Sequence, residues 1–135
     1  MKIAIVANSS WAAYNFRLNL AESIVRDGFE VIFIIPFDGN YSEKLRKNFE
    51  CHNLTIDAKS LNPLKELKAL FNLFHLYRKL SPDLVCHFTI KLNIYGSIAA
   101  WLCNIPSIAN ITGLGTVFIT KSLATFAAKL LYKFS

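Results

Sequence analysis

Three short stretches join polar, cationic or glycine residues to an apolar run, the arrangement of a strand that delivers a loop to a ligand. The stretch "TIKLNIYG" (89–96) holds Lys91 and Asn93 two residues apart, directly after "DLVCHF" (83–88). In an extended segment that spacing points both side chains the same way. Lys91 also precedes a helical pattern that begins at Asn93, and a cation at a helix start opposes the helix dipole unless an anion fills the gap. The spacing therefore predicts contact with a phosphate, against the plainer alternative of a solvated lysine beside an N-cap asparagine. The stretch "NSSWAAYNFR" (8–17) offers Asn8, Ser9, Ser10, Tyr14, Asn15 and Arg17. These read either as ligand contacts or as an N-cap cluster with Trp11 packed over it. In "TGLG" (112–115), Gly113 and Gly115 follow Thr112 and permit positive backbone φ and close approach of a ligand, as they also would in an ordinary turn.

Other chemistries are disfavoured. There is no G-x-G-x-x-G, Walker phosphate loop or G-x-S-x-G elbow, which removes the usual dinucleotide, NTPase and hydrolase readings. His52, His75 and His87 lack zinc-ligand spacing, and no metal site is expected. His87 stands apart, because at a strand end beside Lys91 it could orient a phosphate or serve as acid or base. Cys51, Cys86 and Cys103 are odd in number and widely spaced, as suits reduced, structural thiols in a cytoplasm. Fifteen Lys and Arg against nine Asp and Glu give +6, which favours anionic partners. The aromatic residues fall inside apolar periodic segments and form no RNA-binding strand, so nucleic acid is not expected.

The elements that must carry these loops alternate between strand and helix. "KIAIVA" (2–7) and "EVIFIIP" (30–36) read as buried strands, with a helix between them whose stripe is Phe16, Leu20, Ile24 and Val25 and whose stop is Gly28. A short helix capped by Ser42 leads to a third strand, "CHNLTI" (51–56). Asn62 caps and Pro63 opens a long helix with Leu67, Leu70, Phe71, Phe74 and Tyr77 inward and Lys65, Lys68, Arg78 and Lys79 outward. "DLVCHF", the helix "NIYGSIAAWLCN", the strand "SIANI" and a final helical stretch complete the alternation. The expected fold class is α/β: a Rossmann-like, doubly wound parallel sheet covered on both faces, forming one domain over residues 1–135. Such sheets bind ligands beyond the carboxyl ends of their strands, where all three candidate loops fall. No run reaches transmembrane length, and the first residues lack the apolar core of a secretory signal, so a cytoplasmic location is expected. The chain reads either as compact at five strands or as the front part of something longer.

Taken together, "NSSWAAYNFR", "SLNPLKELKALFNLFHLYRKLSPD", "DLVCHFTIKLNIYGSIAA" and "NITGLGTVF" resemble the first domain of family 4 glycosyltransferases of the GT-B fold, especially those of bacterial lipid-linked oligosaccharides and surface polysaccharides. The resemblance covers nearly the whole chain and rests on the order of several segments. It implies a two-domain enzyme in which this half binds a saccharide acceptor carried on a lipid diphosphate, and a donor-binding domain or partner chain holds a nucleotide sugar as co-substrate, with no further cofactor. By the same resemblance Asn8, Ser9, Tyr14 and Asn15 line the inter-domain cleft, Lys91 and Asn93 face a phosphate, and Thr112, Gly113 and Gly115 let the backbone approach the sugar. Ile90 stands where many relatives have a histidine, and Leu92 where others have a proline. Lys91 and Asn93 are accordingly read as binding groups and not as proton-transfer groups, and no catalytic residue is assigned. The cationic long helix and Lys121, Lys129 and Lys133 suit an anionic membrane at its inner face. The alternative is a truncated or split subunit without turnover that binds an anionic saccharide or a partner catalytic chain; a nucleotide-sugar epimerase half is a third reading.

Overall fold

The computed structural model describes residues 1–57 and 62–111. Five strands form one parallel sheet: β1 (Lys2–Val6), β2 (Glu30–Ile35), β3 (Glu50–Asn53), β4 (Leu84–Phe88) and β5 (Ser107–Asn110). Their order across the sheet is β3-β2-β1-β4-β5. The helices are α1 (Ser10–Arg26), α2 (Asn40–Arg46), α3 (Pro63–Leu80) and α4 (Ser97–Leu102), the last preceded by a π-helical turn at Leu92–Gly96. This is the doubly wound α/β arrangement that the strand and helix alternation predicts.

The apolar runs of β1 and β2 are uninterrupted because each strand is covered on both faces. Ile3, Ile5, Val31, Phe33, Ile35, Cys86 and Phe88 pack beneath α1 and α2. Ala4, Val6, Ile32, Ile34 and Val85 pack beneath α3 and α4, with Leu73, Tyr77, Ala99 and Ala100 as the facing layer. The chain builds outward from β1 to β3, then returns through α3 to place β4 on the other side of β1. That reversal sets the topological switch point between β1 and β4.

Several local expectations change. The contact face of α1 is made by Ala13 and Ala21, with Leu18 and Ile24 half-buried, whereas Phe16 is 59% exposed and Leu20 and Val25 also face outward. Two alanines let the helix lie close on the sheet, so the bulkier apolar residues are turned away. In α3 the inward face is Ala69, Leu73 and Tyr77, with Leu70 and Phe74 beside it, while Leu67 and Phe71 point out. Ser42 is not a cap but lies inside α2, its hydroxyl donating to the Gly39 carbonyl at 2.6 Å. Asn62 and Pro63 do open α3, Asn62 Oδ1 accepting from the Leu64 N–H at 3.0 Å, and Gly28 adopts φ 87° behind α1.

Candidate functional site

At the switch point an open groove of about 540 Å³ lies between the start of α1 and the end of β4, lined by Ala7, Asn8, Ala12, Phe16, Arg17, Phe88 and Thr89. It sits at the carboxyl ends of the two central strands, where ligands bind in open α/β sheets. Its volume falls in the range of small-molecule sites, roughly 300–1,000 Å³.

The α1 wall begins with a local cap. Ser9 is extended, and its hydroxyl oxygen accepts from the Ala12 N–H at 3.1 Å. The Asp38 carboxylate, from the loop after β2, accepts both the Ser10 N–H at 3.1 Å and the Ser10 hydroxyl. An internal anion therefore occupies the positive end of this helix. Asn8 remains on the groove floor. Tyr14 turns away from it to pack on Tyr41, with ring centroids 5.4 Å apart. Asn15 is exposed and donates to the Trp11 carbonyl at 2.9 Å, while Trp11 is half exposed and stands edge-on to Phe16. Of the four cleft residues expected from this loop, Asn8 lines the groove and Ser9 caps its helix, whereas Tyr14 and Asn15 are engaged elsewhere. Arg17 joins the groove instead, its guanidinium carbon 4.1 Å from the centre of the Phe88 ring.

The β4 wall carries the most strained residue. Thr89 has φ 88°, a left-handed conformation that a β-branched side chain adopts only under constraint. Its Oγ1 is buried with no hydrogen-bond partner among the described residues. The chain then winds at once into helix, so residues 90–96 are not extended and Lys91 and Asn93 do not project side by side. Lys91 donates to Glu66 Oε1 at 2.7 Å and to the Asp57 carbonyl at 2.8 Å. The anion that offsets its position at the helix start is thus supplied by α3 of the same chain. Asn93 is buried and donates to the Asn110 carbonyl at 3.0 Å, fastening the turn to β5. Thr112, Gly113 and Gly115 lie outside the described residues, as do Lys121, Lys129 and Lys133.

His87 is fully buried on the opposite face of β4 from the groove, its Nε2 hydrogen-bonded to the Tyr77 hydroxyl at 2.8 Å. Burial pulls the imidazole down to about 4, which keeps it neutral near pH 7. The expectation that it could face a phosphate or trade protons with substrate is therefore corrected: its neighbours are the Tyr77 hydroxyl and the backbone of Gly96. Gly96 is required there, since a Cβ would lie 2.4 Å from His87 Cδ2 and Nε2. Among the described residues no three His, Cys, Asp or Glu side chains are grouped to hold a metal ion. Cys51, Cys86 and Cys103 are free thiols, and burial raises the pKa of each.

Sequence reading missed four participants. Asp38, Glu66 and Asp57 act through partners far away in the chain, and Thr89 through a backbone angle. The stretch 8–17 did contain Arg17, but nothing local set it above Tyr14 or Asn15.

A family model described as glycosyl transferase 4-like matches residues 2–135. No curated protein matches the sequence. Among solved structures, MurG from Acinetobacter baumannii is similar at 24% identity and TM-score 0.63, over 81% of this chain and 33% of its own. Anabaena HepE, crystallised with UDP-glucose, is similar at 15% identity and TM-score 0.63, over 97% and 34%. A UDP-N-acetylglucosamine 2-epimerase is similar at 19% identity and TM-score 0.62, over 98% and 38%. The chain thus spans about a third of the length of these structures, and its fold is that of the Rossmann-like N-terminal half of the GT-B architecture.

Proposed function

The chain belongs to the glycosyl transferase 4-like family, and on that premise we propose that it is the acceptor-binding part of a glycosyltransferase, one that moves a sugar from a nucleotide sugar to a lipid-linked or polysaccharide acceptor in cell-surface glycan synthesis. The groove between α1 and the end of β4 carries this reading. It is open to one side, so a donor held by a second domain or a partner chain can meet an acceptor held here; transfer needs both substrates in contact geometry. Asn8 and Arg17 on the α1 side, and Phe88 and Thr89 at the end of β4, frame the acceptor. Transfer from a panel of nucleotide sugars to lipid-diphosphate acceptors tests the reading. The 135-residue chain alone is expected to be inactive, and addition of a donor-binding half to restore turnover. Turnover by the chain alone overturns the division of labour.

A second reading is a non-catalytic subunit that binds an anionic saccharide or a catalytic partner; saccharide binding without transfer in any combination supports it. Conversion of a nucleotide sugar with no acceptor present points to an epimerase instead.

The proposed location is cytoplasmic and peripheral, at the inner face of a membrane. No helix among the described residues is long and apolar enough to cross one. Leu64, Leu67 and Phe71 instead form an outward stripe on α3, flanked by Lys65 and Lys68. Apolar side chains framed by cations suit an interface with anionic head groups. Flotation with anionic vesicles is expected to be salt-sensitive and to be lost with Leu67→Ser and Phe71→Ser together; absence of salt-sensitive flotation removes the membrane claim.

A further inference from the structure

We propose that Arg17 is the oxyanion-binding residue of the groove, holding a phosphate or carboxylate of the acceptor between α1 and the end of β4; this rests on the acceptor-binding reading. Of the positive features beside the groove among the described residues, two are already answered from within. The start of α1 is capped by Asp38, and Lys91 is ion-paired to Glu66 and bonded to the Asp57 carbonyl. An anion arriving at either place must compete with a carboxylate of the chain itself.

Arg17 is different. Among the described residues no carboxylate lies within ion-pair distance of it. One of its N–H groups donates to the Phe16 carbonyl at 3.0 Å, which leaves most of the five donors of a guanidinium without an acceptor among the described residues. The guanidinium carbon lies over the Phe88 ring, 4.1 Å from its centre, a cation–π contact that restrains the group. A guanidinium so restrained has lost part of its freedom before any ligand arrives, and its remaining donors include a parallel pair, the match for two oxygens of a phosphate or carboxylate. Burial lowers the Arg17 pKa, an expense of charge that a bound anion offsets. Asn8 and Thr89 flank the same groove, and Thr89 Oγ1 has no partner among the described residues. Each adds a neutral donor to the charged one. A lysine would supply the charge without the fork.

Nuclear magnetic resonance titration of the 135-residue chain tests this, with inorganic pyrophosphate in one arm and glucuronate in the other. The expected result is a saturable shift of the Arg17 Nε–Hε signal together with the amides of Asn8 and Thr89. Tighter binding of pyrophosphate identifies a diphosphate source, and tighter binding of glucuronate an acidic sugar. Arg17→Gln is expected to weaken the favoured anion by about tenfold or more, and Arg17→Lys by less, since charge survives without the bidentate edge. If Arg17→Gln does not fold, the wild-type Nε signal and Arg17→Lys decide. Shifts that bypass Arg17, or equal affinity in a folded Arg17→Gln, overturn the assignment. Such a result beside working transfer leaves the acceptor reading intact; anion binding at Arg17 without transfer in any combination defeats that reading and spares the assignment.

Discussion

The Tyr77 hydroxyl and His87 Nε2 lie 2.8 Å apart between α3 and β4, both side chains fully buried. The pair ties the crossover helix to the strand that forms one wall of the groove. Burial holds the Tyr77 phenol protonated and the imidazole neutral.

That neutrality makes stability depend on acidity. The folded imidazole titrates at about 4, whereas an unfolded one titrates near ~6.5. Because the unfolded chain takes up the proton first, this contribution is complete above the unfolded value, is lost as pH falls toward 4, and is constant below it. The loss is on the order of 3 kcal/mol. Denaturant unfolding across this window is expected to show the slope in the wild-type chain and a flatter profile in His87→Gln. Parallel profiles would exclude His87 as its source.

Gly96→Ala places a Cβ 2.4 Å from the His87 ring, and the ring cannot withdraw without leaving Tyr77. The expected cost is about 1–3 kcal/mol. In a double-mutant cycle with His87→Ala the penalty should largely disappear. Additive effects would show that the two sites do not touch in solution.

Thr89→Gly relieves a residue held at φ 88°. A gain of up to about 1 kcal/mol in unfolding free energy is expected, after allowing for the greater freedom of glycine when unfolded. If the variant is less stable than wild type, the buried hydroxyl contributes more than the strain removes.

Lys91→Gln leaves Glu66, itself only 14% exposed, without its cation. A loss of about 1–3 kcal/mol is expected, and Glu66→Gln in the same chain should recover part of it. An unchanged denaturation midpoint would return Lys91 to the solvated role and free it for ligand.

What local pattern could reveal, it did. Uninterrupted apolar runs marked β1 and β2, Asn62 with Pro63 marked the start of α3, and Gly28 marked the end of α1. Asn8 fell at the groove because a loop after the first strand of such a sheet has nowhere else to go. The remainder was illegible for a shared physical reason. Lys91 looked available because Glu66, its partner, is 25 residues away, and His87 looked like a working histidine because nothing near it in sequence announces Tyr77 or the bare backbone of Gly96. The inward faces of α1 and α3 were misjudged where alanine, not the largest apolar residue, meets the sheet.

The π-helical turn at Leu92–Gly96 gives the connection from β4 to α4 a vernier. A regular α-helix advances about 100° per residue, so its two ends are locked in phase. The wider turn takes up an extra residue, which lets Lys91 meet Glu66 while Ala99 and Ala100 still lie flat on the sheet. Removing one residue from the turn would restore an ordinary helix and preserve the fit at both ends only if the connection after Thr89 shortened too. The end of this helix that meets α3 and the end that lies on the sheet are therefore adjusted separately, and the contact of Lys91 with Glu66 can be reset by sequence change without repacking the interior.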